Sequence, residues 1–194
     1  QWVVETGDLG LIPEAEINAR QEGVGSPWGI LQAEESAELM GQIRDTASRS
    51  LEGSEILPRL REAVSHEDSV VRYWAATGVG NLGEKGVSAA PLMENLLTDQ
   101  AENVRIAAAR ALCRMGRPKQ ALPVLVAILD EGSQWARVQA SNVLDEMDDQ
   151  ALPVIDDMKR HLEPREDLLQ RGKYTVRVLN RALNELQGTA NQVP

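Results

Sequence analysis

Pro91-Leu92-Met93-Glu94-Asn95-Leu96-Leu97, then Thr98-Asp99-Gln100-Ala101-Glu102-Asn103, then Val104-Arg105 and an alanine-rich run to Gly116: this stretch decides the fold. Its first piece reads as a helix with Pro at the first position, where the missing N–H costs nothing. The middle is a polar turn. In the third piece Val104, Ala107, Ala108, Ala111, Leu112 and Met115 recur at the spacing of one helical stripe. Gly116 then stands where a helix end favours a left-handed residue. The unit is helix, turn, helix, stop.

The unit recurs on both sides. Its opening proline returns as Pro58, Pro91, Pro123 and Pro153, in steps of 33, 32 and 30 residues. Fourteen residues after each of the first three prolines stands an arginine, Arg72, Arg105 and Arg137. Eleven residues further on come Gly83, Gly116 and Asp148. Arg177 and Gly188 repeat the last spacing, but the step from Pro153 to Arg177 is ten residues longer, with Pro164 in the extra length. Self-similarity at this period marks a repeat architecture, in which each unit buries its apolar face on its neighbours. The expected units are Ile56–Gly83, Ala89–Gly116, Ala121–Asp148 and Ala151 to about Gly188.

The apolar residues suit close helix packing. They make up 42% of the chain, with no Phe, two Tyr and four Trp, so Ala, Leu and Val carry the interior. In the first unit Val71, Trp74, Ala75, Gly78, Val79 and Leu82 point inward; in the third, Ala136, Ala140, Val143, Leu144 and Met147 do. Trp135 falls off that stripe, so it is expected at the surface, where an aromatic can anchor a partner. Before the repeats, a helix candidate spans Ala33 to Leu51, with Leu39, Ile43 and Ala47 spaced by four and Met40 and Leu51 nearby. It lacks the Pro–Arg–Gly frame and reads as an N-terminal cap.

Three segments are expected: an extended arm over 1–32, a repeat domain over 33–188 and a flexible tail over 189–194. The arm is punctuated by Gly and Pro, with one helical turn at Pro13–Arg20. Its Trp2, Val3, Val4, Leu9, Leu11, Ile12 and Trp28 want a surface to lie on. A start at Gln1, with no charged n-region or apolar h-region, reads as a segment of a longer chain whose targeting sequence would lie upstream.

Charge and cysteine usage narrow the chemistry. The net charge of −10, from 30 acidic and 20 basic residues, argues against general nucleic-acid binding. No apolar run approaches the ~20 residues of a membrane span. Cys113 is the sole cysteine and is expected as a buried or half-buried helix residue, without a base in reach from His66 or His161. These three residues share no helix face that would suit zinc. The acidic runs Asp145-Glu146-Met147-Asp148-Asp149 and Asp156-Asp157 lack the glycine and spacing of a calcium loop, so a solvated helix end or turn is the expected reading. Gly78-Val79-Gly80 lies inside a helical stripe and is no phosphate cradle. No catalytic residue, cofactor or metal ligand is assigned.

The arginine ladder Arg72, Arg105, Arg137 and Arg177 has two readings. Four guanidiniums at solenoid spacing can grip an anionic partner along the inner curve. Alternatively each ties the start of its second helix to a carboxylate or carbonyl of the next unit. The second is preferred, because the ladder follows the repeat frame.

The helix pair with Pro opening the first helix, and Val70-Val71-Arg72, Asn103-Val104-Arg105, Trp135-Ala136-Arg137 or Thr175-Val176-Arg177 in the second, resembles the short HEAT-like (PBS-lyase-type) repeat. That resemblance, over about Ile56 to Gly188, implies an all-α fold, a right-handed α-α superhelix of HEAT-like or armadillo type with four helix pairs. Second helices would line the inner curve. A narrower resemblance concerns Gln1-Trp2-Val3-Val4-Glu5-Thr6-Gly7-Asp8-Leu9-Gly10-Leu11-Ile12-Pro13-Glu14-Ala15-Glu16 and Val71-Arg72-Tyr73-Trp74-Ala75-Ala76-Thr77-Gly78. These strings look like the HEAT-repeat tail of bacterial secreted sulfatases. The resemblance implies a non-catalytic accessory module, packing on its own catalytic domain or another protein, in the periplasm or outside the cell. Those enzymes use a Cys/Ser-x-Pro-x-Arg motif, and the nearest string here, Cys113-Arg114-Met115-Gly116-Arg117, has Met in place of Pro. The alternative is a free-standing scaffold, cytoplasmic in location, that binds a partner protein on its inner curve.

Overall fold

A computed structural model describes residues 18–19, 37–163 and 172–190. All of the expected arm but residues 18–19, most of the long connection before Lys173 and the end of the tail lie outside the described residues. Every described regular element is helical. In order they are α1 (Ala37–Arg49), α2 (Leu57–Ala63), α3 (Ser69–Asn81), α4 (Ala90–Leu96), α5 (Glu102–Arg114), α6 (Pro118–Glu131), α7 (Gln134–Glu146), α8 (Ile155–Arg160) and α9 (Lys173–Gln187). Short 3-10 segments precede α2, α4 and α8.

Four pairs, α2/α3, α4/α5, α6/α7 and α8/α9, form the layers of an α-α solenoid. The second helices stack on one another in the order α3, α5, α7, α9, and the first helices pack behind them. The inward residues of α3, α5 and α7 form the core, with Val79, Val104, Ala108, Leu112, Ala140 and Leu144 wholly buried. Small residues set the spacing. A Cβ added at Gly80 would sit 3.0 Å from the Ala111 Cα, so α3 and α5 meet almost backbone to backbone.

The stop positions behave as the frame requires. Gly83, Gly116, Asp148 and Gly188 all have positive φ, between 48° and 72°. At Gly116 the chain closes the α5 end by bonding the Arg117 N–H to the Leu112 carbonyl at 2.8 Å and its own N–H to Cys113 at 2.8 Å. A left-handed glycine makes that closure cheap. Asp148 reaches the same conformation with a side chain, at a steric cost glycine avoids.

Two expectations change. Pro123 does not open a helix: α6 begins at Pro118, and Pro123 lies inside it. The residues equivalent to the 3-10 segment before α4 wind as α-helix here, with Pro118 at its start. Pro153 lies in a 3-10 segment, Asp148–Val154, and α8 starts at Ile155. The cap helix takes its expected place at the end of the stack. α1 packs on α3 as the next second helix would, with Ile43 and Ala47 against Val70, Val71 and Trp74. Leu51 lies past its end and is exposed.

Candidate interaction groove

The frame arginines sit in the first turn of their helices and turn back on the chain. Arg72 donates from Nη1 to the His66 and Glu67 carbonyls at 2.9 and 2.7 Å. Its Nε and Nη2 grip the Asp99 carboxylate of the next layer at 2.7 and 2.8 Å. Arg105 donates to the Asp99 and Gln100 carbonyls at 2.7 and 3.0 Å. Arg137 is 4% exposed and donates to the Gly132 carbonyl at 2.6 Å, to Asp130 at 2.7 Å and to Leu129. Arg177 lies exposed on α9. Arg72 thus reaches the Asp99 side chain of the next layer, while Arg105 and Arg137 satisfy carbonyls of the turn before their own helix, where a helix end leaves acceptors without partners. None of the four lines the groove described below.

Asp99 is held below the usual carboxylate range. Burial pushes it up, but the Arg72 hydrogen bond, the Ala101 N–H and the charges of Arg72 and Arg105 outweigh that.

Trp74 is buried and meets Tyr73 edge to face, with centroids 5.3 Å apart. Trp135 is 59% exposed and stacks on Tyr174 at 6.0 Å. The histidines serve turns. His66 Nδ1 accepts the Asp68 N–H at 3.0 Å, which leaves its Nε2 proton to donate to Gln42 Oε1 at 2.9 Å. His161 lies 3.0 Å from Asp130, and burial lowers its pKa against the pull of that carboxylate. The thiol of buried Cys113 is pushed up to about 12 by burial, with the Glu146 charge adding to it. Among the described residues no group of three or more His, Cys, Asp and Glu is placed to hold a metal. The acidic run at the α7 end is not uniformly solvated: the Asp145 side chain is only 10% exposed, bonded to Arg181 at 2.8 Å, and burial raises its pKa.

One face of the second helices forms a surface the sequence reading missed. A groove of about 320 Å³ crosses α3, α5 and α7. Its floor is apolar, made by Ile106, Ala107 and Val143; Tyr73, Thr77, Gln139 and Asn142 form polar walls, and Arg110 and Glu146 close one side. These residues hold fixed places in the frame. Thr77, Arg110 and Asn142 each lie five residues after a frame arginine, and Asn81, Arg114 and Glu146 nine after.

The second row is hydrogen-bonded across the layers. Asn81 donates to the Ser50 carbonyl at 2.8 Å, and Arg114 Nη1 donates to Asn81 Oδ1 at 2.7 Å. Arg114 Nε donates to Glu146 Oε1 at 2.8 Å, and its Nη2 meets the same oxygen. Arg110 Nε donates to Glu146 Oε2 at 2.6 Å, with Nη2 at 2.5 Å. Burial alone would raise the Glu146 pKa; the hydrogen bonds and charges of the two arginines bring it below the usual value, so the carboxylate stays ionised. The signal was present in the spacing. It was hidden because the row uses Asn, Arg and Glu in turn, with no repeated residue type.

Comparison with known proteins agrees with the repeat frame. Residues 89–171 match the family model of HEAT repeats. An uncharacterized protein of Bacillus subtilis (strain 168), SkfG, is 36% identical over 86 residues. That alignment takes in 43% of this chain and 50% of the relative, so the chain spans about half the length of the curated relative it matches. A designed armadillo repeat protein, solved in complex with a (KR)4 peptide, is similar at a TM-score of 0.45 and 15% identity. The match covers 92% of this chain and 98% of that one.

Proposed function

We propose that this chain is a non-catalytic interaction scaffold, whose groove across α3, α5 and α7 takes an extended segment of a partner protein. One observation carries the reading: the groove combines an apolar floor with the side-chain amides of Gln139 and Asn142. An extended peptide needs both. Its side chains gain from burial on Ile106, Ala107 and Val143, and its backbone N–H and C=O groups need donors and acceptors, which an amide supplies together. The test is selection from a random-peptide display library on the intact chain, repeated on Asn142→Trp, which plugs the groove, and on Asp157→Trp, on α8. Peptides lost on the first variant and kept on the second support the reading. Peptides indifferent to Asn142→Trp overturn it.

A finer reading places the scaffold behind the catalytic domain of a sulfatase-like hydrolase, with that domain or another protein as partner. Its support is the likeness of residues 1–16 and 71–78 to the sulfatase tail. The second string forms the first turns of α3, where Trp74 is spent on the core and Arg72 on the layer joint. The gene upstream of Gln1 should then encode a Cys/Ser-x-Pro-x-Arg motif; a coding region without it removes this reading and leaves the scaffold untouched.

A further inference from the structure

The charged side of the groove has an imbalance that selects its occupant. Each Glu146 oxygen faces two guanidinium nitrogens, Oε2 those of Arg110 and Oε1 those of Arg114. A carboxylate offers about four lone-pair sites, so its acceptor capacity is taken up. The donors are in surplus. A guanidinium carries five N–H groups, and Arg110 makes no bond from Nη1 among the described residues, while its side chain is 41% exposed at the groove wall. Two cations share one anion, leaving a local excess of one positive charge on a chain whose net charge is −10.

A partner's Lys or Arg would meet two like charges and a carboxylate with no acceptor to spare. A partner's carboxylate would meet an open, charge-assisted donor, the stronger class of hydrogen bond. At physiological ionic strength the Debye length is about 8 Å, so the wider acidic surface is largely screened from a group that touches Arg110. The polar neutral walls and apolar floor lie alongside, within one groove.

Building on the groove reading above, we infer that the occupant is an acidic segment: an extended peptide whose Asp or Glu carboxylate engages Arg110, with an adjacent apolar side chain on Ile106, Ala107 and Val143. The library selection tests this directly. Groove-dependent peptides should be enriched in Asp or Glu beside an apolar residue. Replacing that acid by its amide in a synthetic copy should weaken binding about tenfold, the loss of one charge-assisted bond, measured by fluorescence anisotropy. Arg110→Gln should remove that acid-versus-amide difference, whereas Arg110→Lys should retain part of it. Melting curves of both variants show that the fold is intact. Groove-dependent peptides that are neutral or basic, or whose acid and amide forms bind equally, overturn the inference and leave the scaffold reading standing. Peptides that do not depend on the groove overturn both.

Discussion

The two ends of the second helices use arginine in opposite ways. At the amino-terminal ends Arg72, Arg105 and Arg137 are drawn into the backbone, each binding carbonyls of the preceding turn. At the carboxyl-terminal side Arg110 and Arg114 stay partly exposed and share one carboxylate. The difference teaches that periodicity alone does not mark a binding ladder. The most regular arginines are the ones least available to a partner, since their regularity comes from a need every turn shares.

That contrast predicts a graded loss of stability. Arg137→Met should be the most damaging, because two buried carbonyls and one partly buried carbonyl lose their donor; we expect about 3 kcal/mol in urea unfolding, at 1–3 kcal/mol per stranded group less relaxation. A loss under about 1 kcal/mol would erase the distinction between the two ends.

Arg72→Ala should cost about 2 kcal/mol, since it breaks a bidentate joint between layers. Its pH dependence sharpens the point. The folded pKa of Asp99 is depressed, so its contribution is complete above the unfolded value and is lost as pH falls through the folded one. The stability gap between the native chain and Arg72→Ala should stay constant from about pH 7 to 5 and narrow only below about pH 4, down to the part carried by the His66 and Glu67 carbonyl bonds. A gap that closes near neutrality would assign the joint to another group.

Arg105→Ala should cost about 1 kcal/mol, because two carbonyls in a half-buried turn can regain water. It should lower the melting temperature less than Arg72→Ala does. Arg114→Ala should be mildest, about 0.5 kcal/mol, as expected for a partly exposed pair. A loss there as large as that of Arg137→Met would mean the groove ladder is a structural tie, like the arginines at the other end.

Much of the fold was legible because it depends on local rules that repeat. The stripe on α5, the glycine stops and the buried fate of Trp74 each follow from spacing on a single helix. The start of α6 was not legible, because Pro118 and Pro123 are both acceptable openers and only the packed structure chooses between them. The cap role of α1 was legible from the four-residue spacing of Leu39, Ile43 and Ala47. This helix carries none of the frame's marks, yet Ile43 and Ala47 supply the same contact surface to α3. The row beside the groove depends on pairing between layers, where Asn81, Arg114 and Glu146 complement one another by differing. A search for sameness passes over complementarity. The fate of the frame arginines was half legible: their structural use follows from the frame, but which acceptors they take depends on turn geometry.

Each junction in the stack carries its own polar key. Arg72 fits Asp99, Glu102 fits the Ser133 N–H and hydroxyl, Arg114 fits Glu146, and Arg181 fits Asp145. The layers are therefore not interchangeable bricks. A tandem copy of the second layer could still mate Arg105 with the new Asp99. It would, however, set one Arg114 against another, and would offer Glu102 an alanine where it now finds Ser133. Lengthening this molecule from within would demand a rewritten key as well as another layer.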